Sequence, residues 1–268
     1  MDTELQSEWK VRAKQTFDMV GGLTALMLGI IAFLYVSVDK DLSIPSWLVW
    51  LAFIAAIGLL TGYLLKVRAF ADVQPCDDDA AALRLVGHGL TALIAGMVLM
   101  RVTTAFVKDV NTFFYLMLAT WLTMIVGCFM MKNGYRRLRN SDSMSPMAKK
   151  GAENLRYAAV CNIRLLIAPV IMLIGQAIIM LFTLTKIQGH LEGIGEFDLD
   201  TLEKPINAIL ASIEVLKSGF NVLMLFTLVA LLLMFIWFVF AQVKPLMGWH
   251  RLKKGMPAEE ESSFAPLP

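Results

Sequence analysis

Few residues in this 268-residue chain are of types that do chemistry, and their spacing argues against most reactions. The three histidines, His88, His190 and His250, fall on separate segments without HExxH spacing, so they cannot share a metal. Cys76, Cys128 and Cys161 form an odd set with no CxxC pair, so no disulfide or metal assignment follows. Cys128 and Cys161 sit in or beside apolar runs and read as small buried hydrophobes. The 17 methionines scatter through the same runs and read as packing or lipid-facing residues. Asp77-Asp78-Asp79 is the nearest thing to a metal cluster; it reads more simply as acids at a helix amino terminus, where the macrodipole favours them. There is no GxSxG elbow, Walker A loop, TVGYG-type filter or paired-Asp motif of the lipid-head-group transferases. The expectation is a protein that is not an enzyme and that uses no cofactor and no metal.

What remains is cationic or mildly polar. Arg136, Arg137 and Arg139, with Lys149 and Lys150 a few residues on, form a dense basic segment suited to an anionic membrane leaflet, an anionic ligand or a protein partner. Arg101 is the one cation inside an apolar run, a functional candidate by default, with snorkelling to headgroups as the simpler reading. Gln176 is a polar candidate on the fifth run. With Thr183, Thr103, Thr104, Thr120, Thr123, Asn221 and Thr227 it could line a polar path, although such residues more often bond between helices. No Asp or Glu lies inside an apolar run, which disfavours proton-coupled transport.

These residues must be positioned by membrane helices. The chain is 57% hydrophobic and 17% charged, with a mean hydropathy of +0.65, against about 25% charged in soluble domains. Its net charge of +2 gives no reason to expect nucleic acid. Crossing a bilayer takes about 20 apolar residues. Six runs qualify, at about 19–38, 47–65, 87–106, 112–131, 163–185 and 220–241. The fold class expected is all-α, a single polytopic membrane domain of three helical hairpins. The first run has no cleavage site behind it and should stay as an anchor.

Orientation follows from the cations. With the amino terminus inside, eighteen Lys and Arg fall in inner segments and five (Lys40, Lys108, Lys186, Lys204 and Lys217) in outer ones. This predicts the cytoplasmic, inner membrane with both termini cytoplasmic. Trp47, Trp50, Tyr63, Tyr135 and Trp249 lie near run ends, where amphipathic rings anchor to headgroups, whereas Trp121 and Trp237 lie deeper and read as packing residues.

The even helices end alike, in Gly62-Tyr63, Gly134-Tyr135 and Gly248-Trp249. The first two are followed, 21 residues after the glycine, by Leu83-Arg84 and Leu155-Arg156. Gly22-Leu-Thr-Ala-Leu26 recurs as Gly89-Leu-Thr-Ala-Leu93, so a duplicated hairpin is expected. The Pro-x-Asp/Glu-x-x-Lys/Arg signature of mitochondrial carriers is missing from the odd helix ends.

Two linkers carry further expectations. Asp142 or Ser143 should cap a helix resuming near Pro146. The outer loop 186–219 should hold a flexible Gly189–Gly195 stretch, then an amphipathic helix from Asp200 to Lys217, capped by Asp200 or Thr201. That helix could lie on the membrane, cap the bundle or run into the sixth span. Pro169 should kink the fifth helix, Gly58 and Gly62 should permit a close helix contact, and the tail 255–268 should be disordered. Two functions fit: a non-catalytic protein that organises or regulates a partner complex, partner or second copy included, or a small transporter or channel for an uncoupled, weakly polar or anionic substrate.

Overall fold

The computed structural model describes residues 3–39, 44–74, 76–192 and 203–255. They form six helices: α1 Thr3–Asp39, α2 Ser46–Ala71, α3 Asp77–Phe106, α4 Val110–Asn140, α5 Pro146–Glu192 and α6 Glu203–Lys254. All six are long and apolar enough to cross a membrane, and among the described residues there is no strand. The all-α class is as expected. Without water, backbone N–H and C=O groups must pair within each segment, and a helix does this locally.

The helix ends follow local chemistry. Pro45, in extended backbone, precedes α2. Asp77, Asp78 and Asp79 occupy the first turn of α3. The Asp109 carboxylate caps α4 by accepting from the Thr112 N–H at 2.8 Å. For α5 the cap differs from expectation: Ser145 Oγ accepts from the Ala148 N–H at 3.2 Å, and Pro146 is the first helical residue. Only Ser145 stands immediately before that first turn; Ser143 instead donates its hydroxyl to the Asp79 carboxylate.

The outer loop is shorter than the sequence suggests. α5 continues through Gly189 to Glu192, since one glycine costs a helix only about 1 kcal/mol. α6 runs unbroken from Glu203 to Lys254, so the described part of the amphipathic segment runs straight into the sixth span, with Pro205 in its first turn. The expected caps Asp200 and Thr201, the stretch 193–195 and the tail 256–268 lie outside the described residues.

The chain forms two compact units, Met1–Ile163 with Val239–Pro268, and Arg164–Phe238. In the first, α1 packs on α2, α2 on α3 and α3 on α4. Its core gathers at the end where the basic helix termini collect, largely beyond the expected spans. Trp9 and Ala13 of α1, Phe70 of α2, Leu83 of α3, Leu138 of α4, Leu155 of α5 and Trp249 of α6 are all buried there. Higher up, α3 and α4 meet backbone to backbone, where a methyl on Gly127 would lie 2.6 Å from the Gly89 carbonyl oxygen. Gly62 faces Met19, but Gly58 has nothing within 4 Å, so the expected glycine pair on α2 does not make a contact seam. The second unit is a hairpin of α5 and α6, with Phe226 against Gly175 and Thr183 against Gly219. Most of its large apolar side chains are exposed, as suits contact with lipid.

Candidate functional site

The basic end of the first unit is built on a hydrogen-bonded group of aromatic rings. Trp249 donates its indole N–H to the Tyr63 hydroxyl at 3.0 Å, and the Tyr63 and Tyr135 hydroxyls share a bond of 2.9 Å. Trp9 donates its indole N–H to the Leu252 carbonyl at 3.2 Å, packs edge-on against Phe70, and Phe70 packs against Trp249. Tyr63, Tyr135 and Trp249 are therefore buried, not headgroup anchors as the sequence suggested. Their polar atoms are satisfied by one another. Each of these three rings follows one of the three helix-end glycines noted in the sequence, and the three converge in space.

This core fixes the helix ends that carry the cations. On α4, Tyr135 and Leu138 point inward while Arg136 and Arg137 are exposed. Arg136 and Arg137 line an open groove of about 630 Å³ together with Asp78, Asp79, Asp142 and Ser143. Asp79 is buried, and the Ser143 hydroxyl donates to its carboxylate. Arg139, Lys149 and Lys150 line a second, more open depression of about 540 Å³ with Asn140 and Glu153. Arg139 pairs with Glu153 at 2.8 Å, Arg156 joins the same carboxylate at 3.4 Å, and Lys149 lies 3.8 Å from Asp142. Pairs this exposed contribute about 0–1 kcal/mol each; their effect is to hold side chains in place. The five cations thus gather around the α4–α5 junction, interleaved with acids the sequence reading did not attach to them.

The two candidates in the apolar spans lie in different units. Arg101 places its guanidinium 4.2 Å from the centre of the Trp50 ring, a contact of about 0.5–2 kcal/mol. Its Nε is buried without a hydrogen-bond acceptor. Gln176 donates to Thr227 Oγ1 at 3.0 Å, and Thr227 in turn donates to the Leu223 carbonyl. Gln176 therefore joins α5 to α6 and is not left facing a path. Among the described residues no three His, Cys, Asp or Glu side chains gather as metal ligands.

Compared with protein-family models, with curated proteins and with solved structures, the chain matches none.

Proposed function

We propose that this chain is a non-catalytic protein of the cytoplasmic membrane, both termini cytoplasmic, that organises or regulates a partner complex through the basic surface at the α4–α5 junction. The observation that carries the reading is where polar groups stand. Exposed charge is concentrated at one end on a packed core, in grooves lined by Arg136, Arg137, Lys149 and Lys150. In the spans, Gln176 is engaged with Thr227 and Arg101 with Trp50. Cations on this side agree with the positive-inside rule. The convergence of Tyr63, Tyr135 and Trp249 supports descent from a duplicated hairpin. The test is mass measurement of the full chain extracted from its own membrane in native nanodiscs, beside an Arg136→Glu/Arg137→Glu variant. A stoichiometric partner lost in the variant is the expected result. A chain that comes out alone or only as a homo-oligomer, unchanged by the variant, overturns it.

One observation favours the second reading, a small transporter or channel for an anionic or weakly polar substrate. The Arg101 Nε is buried with an unused N–H. On that reading Arg101→Ala abolishes flux in reconstituted vesicles while the fold persists.

A further inference from the structure

The hairpin Arg164–Phe238 contains an apolar groove of about 260 Å³ with a single charge at one end. Arg164, Ala168 and Met172 of α5 and Phe226, Ala230 and Trp237 of α6 are among its walls. The Arg164 side chain is exposed, with its guanidinium 5.6 Å from the centre of the Trp237 ring. No carboxylate pairs with it among the described residues. Past Arg164, α5 carries no charge until Lys186. That is a run of about 32 Å at 1.5 Å per residue, close to the ~30 Å of a bilayer's hydrocarbon. Arg164 therefore marks one membrane interface. From there to Met172 the groove descends about 12 Å, nearly the depth of one leaflet. It reaches Phe226, which packs on Gly175.

We infer that this groove binds one anionic glycerophospholipid, an acyl chain lying between α5 and α6 and the headgroup phosphate on Arg164. The chemistry of each end selects the occupant. Small Ala168 and Ala230 leave room that only hydrocarbon fills favourably. A guanidinium held over an indole keeps N–H donors for a phosphate, which it can grip with two parallel bonds. A zwitterionic lipid fits the groove but brings its own ammonium to the mouth, so the preference rests on Arg164.

Trp237 lines the groove and reports on it directly. The full chain is reconstituted in phosphatidylcholine bilayers containing a small, fixed fraction of phospholipid with brominated acyl chains, as phosphatidylglycerol or as phosphatidylcholine. Bromine in the groove quenches Trp237, isolated by difference from Trp237→Phe. The anionic lipid is expected to half-quench at about fivefold lower fraction than the zwitterionic one, the ratio one cation near an anionic headgroup supplies. Arg164→Gln should remove that preference and leave quenching by either lipid equal. Ala168→Leu should fill the groove and weaken quenching by both. Equal quenching by the two lipids in the unaltered chain, or a preference that survives Arg164→Gln, overturns the site. Loss of the preference in millimolar inorganic phosphate also overturns it, since the ligand would then be the free anion.

Discussion

Tyr63 is the centre of the buried aromatic group, and removing single hydroxyls there should give non-additive losses. Tyr→Phe keeps the ring, so packing is nearly constant and only hydrogen bonds change. In Tyr63→Phe the Trp249 N–H and the Tyr135 hydroxyl both lose their partner, and both residues are at most 1% exposed. Each buried orphan costs about 1–3 kcal/mol, so a total of about 3 kcal/mol is expected. In Tyr135→Phe the Tyr63 oxygen still accepts from Trp249, and only one neutral bond is lost, about 1 kcal/mol. The double variant leaves one orphan, the Trp249 N–H, for about 2 kcal/mol. The second substitution should therefore partly rescue the first, a coupling that additive contributions cannot produce. The assay is equilibrium unfolding of the purified chain in mixed micelles with rising sodium dodecyl sulfate. Reaction of the Cys128 and Cys161 thiols, both fully buried, reports unfolding. A double variant less stable than Tyr63→Phe, or Tyr135→Phe as damaging as Tyr63→Phe, would refute the assignment of Tyr63 as the shared partner.

Two further outcomes can be checked on the same material. Gly58→Ala meets open space and should stabilise by up to about 1 kcal/mol through helix propensity. Gly127→Ala drives a methyl against the Gly89 backbone and should destabilise by about 2 kcal/mol or more in the same titration. Hydrogen bonds from Thr112, first of its side chain and then of its backbone, hold the exposed Asp109 carboxyl below its ordinary value. With a depressed folded pKa, the capping contribution is complete above the unfolded value and lost as pH falls through the folded one. Protection of the Thr112 amide from hydrogen exchange should therefore drop below about pH 4 and be insensitive to pH in Asp109→Asn.

The spans were legible because lipid imposes a length and a composition that few other segments meet. The core was not, because it lies mostly outside them. Trp9, Ala13, Thr16 and Val20 recur at helical spacing and are all buried. Lys10, Arg12 and Lys14 on the other face lower the local hydropathy and hide the stripe. Tyr63, Tyr135 and Trp249 were misread for a physical reason. An amphipathic ring near a helix end suits a headgroup and suits another such ring equally well, and the residue type does not distinguish the two. The signal that could have separated them was the glycine before each ring, since three matched positions at three helix ends are better placed to meet than to face lipid separately. For the cations, the sequence marked Arg136, Arg137, Arg139, Lys149 and Lys150. It could not mark Glu153 and Asp142, whose pairing depends on how α4 and α5 cross.

That arrangement bears on how the basic surface would act under the function proposed above. Arg136 and Arg137 stand directly beside Tyr135, whose hydroxyl is fixed by Tyr63. The linker to α5 is held by Ser143 on Asp79, by buried Met144 and by the Ser145 cap. Cations mounted on such a base lose little backbone freedom on meeting a partner, so more of the interaction free energy survives as affinity. A pair such as Arg139–Glu153 must be opened or shared before the guanidinium can reach a foreign carboxylate. Since exposed pairs contribute about 0–1 kcal/mol, that exchange is nearly neutral. The acids at the junction would thus set which anionic surface fits, by repelling those whose charge falls opposite Glu153 or Asp142, more than how tightly the fitting one is held.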